Sequence, residues 1–426
     1  MHKVSHDPKQ YIRGLQQLLV SDKKKIAFLF GAGTSLGKKN LQSITIPAMS
    51  RLTKEIGEAL CANNKFQIAL EEIKVEIGSE EYNIETLLSN IEQKKHIIGK
   101  GKLNGLEKPE FECLLRAVKN QVRKKVSAHE HILKGKGIDN LIHVDFAEWI
   151  GRADRINGIE VFTTNYDYLF ELGLEEKNIP YYDGFTGSYM PFFNSQSVED
   201  LYFLPKQTKL WKIHGSLGWQ LDEERKKVLR KDSDSNDILI YPSILKYADS
   251  RKQPYVALID RLTKFLKEPD TILITCGYSF SDEHINERIL TALKSNTTAH
   301  VYGLYYDRIW RKDKDPSYGL TPDSKIAKMA AETSKITILG CRNAVIGSQY
   351  GTWKLTNEPN CDDTIEITLY FDEDAPFNIT DEMNTIKKGK ELWTGEGELV
   401  IPDFAKFVAF LKSVIPNSEL VGEGQI

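Results

Sequence analysis

Three short segments carry residue types that bind nucleotides or move protons, and each follows an apolar run. Residues 31–35 read Gly-Ala-Gly-Thr-Ser, residues 163–167 read Thr-Thr-Asn-Tyr-Asp, and residues 212–216 read Lys-Ile-His-Gly-Ser. A glycine turn lets the backbone approach a ligand, a side-chain amide binds hydroxyls or water, and an imidazole accepts a proton near neutral pH. At the carboxyl ends of parallel strands, such turns form a nucleotide site with a general base beside it.

The second and third segments supply the predicted catalytic residues, Asn165 and His214. An amide can donate to a ribose hydroxyl and accept from a water, and an imidazole has a pKa near 6.5. Asp167 either binds a sugar hydroxyl or orders its own loop. The competing interpretation is that Asn165 and Asp167 cap the following helix, 168–172, and for Asp167 taken alone capping is the better explanation.

The glycine turns are weaker signals. Gly31 and Gly33 leave room for backbone N–H groups to approach a pyrophosphate. The third glycine of the dinucleotide fingerprint is missing, so an ordinary strand-to-helix turn explains them about as well. A second glycine turn, at Gly277, follows another apolar run, and Ser279 adds a hydroxyl there. A turn leading into a helix capped at Asp282 explains that segment as well as ligand contact does.

These turns meet only if a parallel sheet brings them together, and the apolar runs predict one. Short continuous apolar runs that end in turns are typical of strands buried on both faces of a parallel sheet. After Asp282, apolar residues at helical spacing predict a crossover helix. The alternation predicts an α/β fold with a doubly wound parallel, Rossmann-like sheet. The predicted strands are 26–30, 160–162, 210–213, 238–241, 271–276, 300–305 and 336–339.

The spacing of the runs predicts one large domain with two additions. We expect residues 1–343 to form the nucleotide-binding catalytic domain. Within it, residues 50–158 lack strand runs and predict a helical insertion lobe. The clustered charges of this lobe are typical of solvated helix faces. The alternative interpretation is that the basic residues form a surface that binds a partner. Residues 344–426 predict a small C-terminal accessory element, with an alternating strand at 364–371 and an amphipathic helix at 402–414.

Composition narrows the class of protein. Of the 426 residues, 27% are charged and 41% hydrophobic, with a net charge of -3, which is typical of soluble globular proteins and does not indicate nucleic-acid binding. The amino end lacks the apolar core of a signal peptide, and no run reaches the roughly 18 apolar residues of a membrane span, so we expect a cytoplasmic protein without membrane contact. The isolated cysteines predict burial as small apolar residues, with neither a metal site nor a disulfide framework. They are Cys61, Cys113, Cys276, Cys341 and Cys361.

The order of these elements resembles the sirtuin-like family. Its members carry a Gly-Ala-Gly-x-Ser turn, a Thr-x-Asn-x-Asp loop, a catalytic His-Gly and a late Gly-x-Ser turn, which correspond here to residues 31–35, 163–167, 214–215 and 277–279. Protein-deacylating sirtuins also carry a four-cysteine zinc ribbon between the histidine motif and the late strands. Only Cys276 follows the histidine in that region, which argues against deacylation.

A closer resemblance is to the bacterial sirtuin-like NAD hydrolases of antiphage defence, in particular the subunit that pairs with a HerA-like hexameric ATPase in the system called Nezha. Residues 162–167, 184–187, 212–219, 239–242 and 282–286 carry it. The resemblance implies NAD as the substrate, depletion of NAD on infection, and a large homo-oligomer that assembles with the ATPase. It also implies NAD contacts by Gly31, Ala32, Gly33, Thr34, Ser35, Thr164, Asp167, Gly277, Tyr278 and Ser279.

The implied reaction is hydrolysis of the bond between nicotinamide and ribose. That bond breaks through an oxocarbenium-like state, so the site must hold the ribose and deliver water rather than supply a strong nucleophile. Asn165 would position water or a ribose hydroxyl, and His214 would accept a proton. Two alternatives stay open. One is a sensor or scaffold that binds NAD or ADP-ribose without turnover, and the other is a zinc-free NAD-dependent deacylase whose acyl tunnel is lined by the aromatic segment 189–193.

Overall fold

The computed structural model describes most of the chain. The described residues are 4–135, 137–153, 155–222, 224–231, 239–240, 253–308, 319–360, 363–374, 377–380, 385–388 and 393–415. Of the features predicted from the sequence, Ile238, Tyr241, Pro242 and Cys361 lie outside the described residues.

The chain alternates helices and strands over much of its length. The helices are α1 (Pro8–Val20), α2 (Met49–Leu60), α3 (Asn64–Ile77), α4 (Ile84–Ile97), α5 (Lys108–Val126), α6 (Ala128–Lys134), α7 (Ile142–Arg152), α8 (Leu169–Glu176), α9 (Ser195–Glu199), α10 (Tyr255–Lys267), α11 (Glu283–Ser295), α12 (Lys325–Ala331) and α13 (Phe404–Ser413). The first ten strands are β1 (Ser5–His6), β2 (Lys25–Phe30), β3 (Glu160–Thr163), β4 (Tyr181–Tyr182), β5 (Phe185–Thr186), β6 (Phe192–Phe193), β7 (Thr208–Lys212), β8 (Gly215–Ser216), β9 (Trp219–Asp222) and β10 (Lys227–Arg230). The other strands are β11 (Leu239–Ile240), β12 (Thr271–Cys276), β13 (His300–Tyr305), β14 (Ile336–Gly340), β15 (Asn343–Ile346), β16 (Gln349–Trp353), β17 (Phe371–Glu373), β18 (Phe377–Thr380), β19 (Thr385–Lys388) and β20 (Gly397–Leu399).

The chain divides into two compact units. The first unit consists of Met1–Thr34, Asp145–Glu160 and Thr263–Ile426, and the second consists of Ser35–Val144 and Val161–Leu262. Each unit therefore combines segments that are far apart in the sequence. The predicted domain boundary between residues 343 and 344 stays a prediction.

The first unit contains a mostly parallel sheet, and the predicted α/β fold class is confirmed. Its strands are ordered β1-β16-β15-β14-β13-β12-β2. β2, β12, β13 and β14 pair in parallel, with Phe30 opposite Cys276 and Cys276 opposite Leu304. β15 and β16 extend this sheet in the antiparallel sense. The predicted runs 271–276 and 300–305 coincide with β12 and β13.

Aromatic side chains fill the core of the first unit around β2. Phe28 and Phe30 stack at 5.3 Å between ring centroids, and both contact the Phe146 ring of α7 edge-on. The closing helix α13 adds Phe404 and Phe407, which contact Phe30 and Phe28 respectively. Because these rings are buried, the end of the chain contributes directly to the hydrophobic core of this unit.

Two helices predicted from apolar spacing are confirmed in the first unit. The side chain of Asp282 accepts from the backbone N–H groups of His284 and Ile285 at the start of α11, which is the predicted cap. Asp403 caps α13 in the same way. The buried face of α11 consists of Ile285, Ile289, Ala292 and Leu293, and that of α13 of Phe404, Phe407, Val408, Phe410 and Leu411.

Among its described residues, the second unit contains three smaller groups of strands. β3, β7 and β4 are neighbours in that order, β5-β6-β10-β9 form a four-stranded sheet, and β8 pairs with β11. The predicted strand at 238–241 is described at Leu239–Ile240, where it pairs antiparallel with Gly215–Ser216. It is therefore a short ribbon beside the turn after β7 and not a further parallel strand, because its partner is that turn.

The predicted helical insertion is helical where it is described, from α2 to α7. Its buried apolar residues include Ile56, Leu88, Phe111 and Val118. Tyr166 and Leu217, from the loops after β3 and β7, pack into the same cluster. We call this part of the second unit, from Met49 to Val144, the helical lobe. Its core is thus continuous with the two loops that carry the predicted catalytic residues.

Charged residues of the helical lobe pair with one another. Lys94 Nζ lies 2.7 Å from a carboxylate oxygen of Glu76. Lys119 Nζ lies 3.3 Å from Glu92. Such partly exposed pairs contribute little to stability. Solvated helix faces and a basic surface for a partner both stay predictions.

Two local predictions are wrong. Residues 364–371 were expected to form an alternating strand, but Ile367–Leu369 form a 3-10 turn and strand β17 starts at Phe371. An alternating strand would place Ile367 and Leu369 on the same face, whereas the 3-10 turn buries Ile367 and exposes Leu369. Cys61 and Cys113 are exposed, whereas Cys276 and Cys341 are buried as expected. The first two fall outside the apolar stripes of α2 and α5.

No helix among the described residues has the length and apolar character needed to cross a membrane.

Candidate active site

In the second unit, two loops carry the predicted catalytic residues. The Asn165 loop (163–167) follows β3, and the His214 loop (213–218) follows the neighbouring strand β7. The Leu217 N–H donates to the Tyr166 carbonyl at 3.1 Å, and a second backbone hydrogen bond of 2.9 Å joins the beginnings of the two loops. The amide-bearing loop and the imidazole-bearing loop therefore lie side by side.

The Asn165 amide is held by a chain of hydrogen bonds. Asn165 Nδ2 donates to Ser35 Oγ at 2.9 Å, and Ser35 Oγ donates to Asp167 Oδ2 at 2.7 Å. All three side chains are buried. A carboxylate acceptor strengthens the chain, because hydrogen bonds to charged groups are roughly twice as strong as neutral ones. The orientation of the amide is thus fixed by its surroundings.

Asp167 also caps the helix that follows it. Its Oδ1 accepts from the Leu169 N–H at 3.0 Å, at the start of α8. The capping interpretation is therefore confirmed for Asp167, although α8 begins one residue later than expected. The Asn165 side chain, in contrast, donates to Ser35. Contact between Asp167 and a sugar hydroxyl stays a prediction.

A buried lysine on strand β7 contacts the Asn165 loop. Lys212, which is 3% exposed, donates from Nζ to the Asp167 carbonyl and, at 2.7 Å, to a Glu171 carboxylate oxygen. The ammonium also lies 5.2 Å from the centre of the Tyr168 ring. Burial raises the pKa of the Glu171 carboxyl, and the charge of Lys212 opposes that rise. This buried ion pair ties strand β7 to the loop and to helix α8.

The imidazole of His214 lies beside a carboxylate from the helical lobe. Its Nδ1 is 3.5 Å from Glu85 Oε1, and both side chains are largely buried. The Tyr166 hydroxyl donates to the same carboxylate oxygen at 2.5 Å. A carboxylate at this distance from Nδ1 orients the ring. We refer to these residues together as the polar cluster: Ser35, Glu85, Asn165, Tyr166, Asp167, Glu171, Lys212 and His214.

The two glycine turns pack against each other within the first unit. A Cβ added at Gly31 would lie 2.5 Å from the Gly277 carbonyl oxygen, and one added at Gly33 would lie 2.6 Å from Gly277 Cα. The N–H groups of Gly31 and Gly33 donate to the carbonyls of Cys276 and Gly277. Gly277 itself has a φ of +63°, where glycine is favoured. The structure thus gives these glycines a packing role, and their contact with a phosphate stays a prediction.

The remaining predicted contact residues occupy varied positions. Thr34 is buried, and its hydroxyl donates to the Gly31 carbonyl at 2.9 Å. Tyr278 is buried with its hydroxyl 3.2 Å from Asn286 Oδ1, and burial raises its pKa. Ser279 is exposed, and its hydroxyl lies 2.8 Å from that of Ser281. Ala32 and Thr164 are half-buried. Their contacts with NAD stay predictions.

Residues 159–322 match the family model of the SIR2-like domain. This segment is sirtuin-like. It covers less than half of the chain but contains both loops and the Gly277 turn. A search of curated proteins found no match.

SIR2-like domains are NAD-dependent enzymes, so the match indicates an NAD-related activity. Within the second unit, the part of the polar cluster that lies in this domain includes Asn165 and His214. Ser35 and Glu85 precede it in the sequence. Among the described residues, no group of three or more His, Cys, Asp or Glu side chains is placed to hold a metal ion.

The sequence did not single out Glu85 or the hydroxyl of Tyr166. Glu85 stood within an acidic cluster that is typical of a solvated helix, and nothing in local spacing relates it to His214. Lys212 carried a clearer signal, because a lysine at the end of an apolar strand needs a partner when the strand is buried. The aromatic segment 189–193 begins outside the hydrophobic core, because its first residue, Tyr189, is 93% exposed.

Proposed function

We propose that the chain is an NAD hydrolase that cleaves the bond between nicotinamide and ribose, giving nicotinamide and ADP-ribose. The observation that carries the proposal is the pairing of the Asn165 loop with the His214 loop in a SIR2-like domain. Two neighbouring loops that carry a buried amide and a buried imidazole suit a reaction in which a ribose is held and a proton is removed.

The proposed reaction balances without a further reactant. The oxygen of a water molecule forms a bond to the anomeric carbon of the ribose, and the bond from that carbon to the nicotinamide nitrogen breaks. The electron pair of the broken bond leaves with nicotinamide and neutralises its ring charge. One water proton passes to His214 and then to solvent, so NAD+ and water yield nicotinamide, ADP-ribose and a proton.

Asn165 has a different role in this proposal. Its amide holds the attacking water or a ribose hydroxyl, and the hydrogen-bond chain through Ser35 to Asp167 keeps the amide in one orientation. A side chain that is held before the ligand arrives costs no ordering entropy during the reaction. Removing the amide should therefore lower turnover even when NAD still binds.

The proposal predicts that His214→Ala and Asn165→Ala each lose most of the NAD hydrolysis. General-base assistance is typically worth roughly 100- to 10,000-fold in rate, so nicotinamide release should fall by about that factor in His214→Ala. Release of nicotinamide and ADP-ribose by the purified proteins is measured by liquid chromatography. His131→Ala, at an exposed position of α6, is the matched control and should keep the parent rate. Parent rates in both site variants would contradict the assignment.

The same measurements separate the rival functions. Tight NAD binding in calorimetry without nicotinamide release would replace the hydrolase with a sensor or scaffold. Loss of acyl groups from acylated peptides, together with formation of acyl-ADP-ribose, would replace it with a zinc-free deacylase. Simple hydrolysis requires neither a peptide nor an acyl acceptor, so the products distinguish the three functions.

We further propose that this activity depletes NAD during phage infection, in a homo-oligomer that assembles with a HerA-like hexameric ATPase. The support is the resemblance of residues 162–167 and 212–219 to the sirtuin-like subunit of such systems. We expect a neighbouring reading frame to encode an ATPase with a phosphate-binding loop. That ATPase should co-purify with this chain. Cellular NAD should then fall after infection in cells that carry both genes, and not in cells that carry His214→Ala.

A further inference from the structure

The carboxylate beside the imidazole belongs to the helical lobe, and the start of helix α4 holds it in place. The side chain of the N-cap residue Asn83 accepts from the N–H groups of Glu85 and Thr86, and the Asn83 N–H donates to Thr86 Oγ1. This capping box satisfies the helix end without the Glu85 carboxylate. The Ile84 N–H adds a 3.0 Å hydrogen bond to the buried Thr53 hydroxyl on α2. The first turn of α4 is therefore anchored to the lobe.

One oxygen of Glu85 has partners on both loops of the site. Oε1 accepts from the Tyr166 hydroxyl at 2.5 Å and lies 3.5 Å from His214 Nδ1. The first turn of a helix favours a negative charge, which suits an ionised carboxylate here. A separation of 3.5 Å is within ion-pair range and longer than a typical N–H···O hydrogen bond. Hydrogen bonds of catalytic groups are often long without ligand and tighten when the substrate binds.

We propose that Glu85 is the positioning residue for His214 and that Tyr166 holds Glu85 in place. A carboxylate at Nδ1 selects the tautomer that carries its proton on Nδ1, which leaves Nε2 to accept the proton from water. The same negative charge stabilises the imidazolium that forms. The Tyr166 hydroxyl connects this arrangement to the Asn165 loop, because Tyr166 is the next residue along the chain. The inference rests on the proposed function and makes the helical lobe part of the active site.

The first test reads the tautomer of His214 and does not depend on turnover. Nitrogen-15 spectra of the protein labelled at histidine report which ring nitrogen is protonated, and the His214→Ala variant identifies the His214 signals. In spectra recorded over a pH series, the neutral ring of the parent protein should be in the Nδ1-protonated form. Glu85→Gln keeps the shape of the side chain and removes its charge, so the population of this form should fall. An unchanged tautomer in Glu85→Gln would overturn the proposal.

The second test separates binding from chemistry. In Glu85→Gln, kcat for nicotinamide release should fall by roughly 10- to 100-fold, a part of the full value of a general base, while KM changes by less than about 3-fold. Tyr166→Phe keeps the packed ring and removes the hydroxyl, and kcat should fall by about 2- to 10-fold, the value of one hydrogen bond. Glu80→Gln, at an exposed position in the turn before α4, is the matched control and should behave as the parent.

The outcomes distinguish this inference from the proposed function. If the parent protein releases no nicotinamide from NAD, the proposed function fails, while the spectra still decide whether Glu85 orients His214. If the parent is active and Glu85→Gln keeps its kcat, the hydrolase stands and the positioning role of Glu85 is wrong. A loss of kcat with a changed tautomer and a circular dichroism spectrum like the parent's supports the proposal.

Discussion

The glycine turns of the first unit and the polar cluster of the second unit both contain residues that the sequence marks as functional, yet they are held by different forces. At the glycine turns, Gly31 and Gly33 approach the Gly277 backbone so closely that a single methyl group would collide with it. In the polar cluster, buried polar groups are held by hydrogen bonds and ion pairs, as Lys212 is by Glu171. Side-chain volume decides which substitutions the glycine turns tolerate. Charge and hydrogen bonding decide which substitutions the polar cluster tolerates.

A motif residue can therefore be required for a reason other than ligand contact. A glycine in a nucleotide-binding turn and a glycine between two backbones look alike in sequence, because both need the absence of a side chain. A buried lysine or carboxylate is different, since its cost without a partner is several kcal/mol and its partner must therefore exist. We expect volume changes to damage the glycine turns and charge changes to damage the polar cluster.

The largest effect should come from breaking the buried ion pair of the polar cluster. Lys212→Met keeps most of the side-chain volume but leaves the buried Glu171 carboxyl without its cation, and losing one partner of a buried pair typically costs about 3–5 kcal/mol. Urea denaturation followed by circular dichroism should show a loss of this size. Lys325→Met breaks an exposed pair with Glu283 in the first unit and should change stability by less than about 0.5 kcal/mol. Equal losses in the two variants would remove the distinction between the regions.

The next largest effect should come from a small volume change in the glycine turns. Gly33→Ala places a methyl group 2.6 Å from Gly277 Cα, so backbone must move, and overpacking of this kind costs about 1–3 kcal/mol. The midpoint of urea unfolding should fall accordingly. Gly57→Ala is the matched control, because its added methyl group meets nothing within 4 Å on helix α2 and should stabilise by about 0.5–1 kcal/mol. If Gly33→Ala were as stable as the parent, the glycine turns would have room for a side chain, and their close packing would not explain the glycines.

Much of the fold could be predicted from the sequence because its signals are local. The predicted strand 271–276 coincides with β12, and the helix predicted from the apolar spacing after Asp282 coincides with α11. Both predictions succeed because the hydrophobic period and the capping residue lie within a single element. Residues 364–371 were misread because alternation in the sequence does not show that Leu369 is exposed when Ile367–Leu369 form a 3-10 turn. The helical lobe was recognised by the absence of strands over its length.

The candidate site was predictable only in part, and the reason is again the range of the signal. The residues Asn165 and His214 stand in turns directly after strands, where polar residues are informative. Glu85 occupies the first turn of a helix, where an acidic residue is common for electrostatic reasons alone. Its contact with His214 depends on how the helical lobe packs onto Tyr166 and Leu217, which is a property of the folded second unit and not of any segment.

The last effect that we predict depends on pH and concerns His143, a buried histidine of the second unit outside the polar cluster. Burial lowers its pKa to about 3, from about 6.5 in an unfolded chain. Between these values the unfolded chain binds a proton that the folded protein excludes, so the stabilising contribution is complete above pH 6.5 and is lost as the pH falls toward 3. At pH 5, about 1.5 units below the unfolded pKa, the loss should be about 2 kcal/mol relative to pH 7.5.

His143→Gln, which is neutral throughout, should lack this part of the pH dependence. The quantity to compare is the change in unfolding free energy between pH 7.5 and pH 5, so any constant cost of the substitution cancels. The loss on acidification should be about 2 kcal/mol smaller in His143→Gln than in the parent, and His131→Gln, at an exposed position, controls for the removal of a histidine as such. An identical loss in the parent and in His143→Gln would mean that this ring takes up its proton in the folded state as readily as in the unfolded chain, and sensitivity to charge in the second unit would then be confined to the polar cluster.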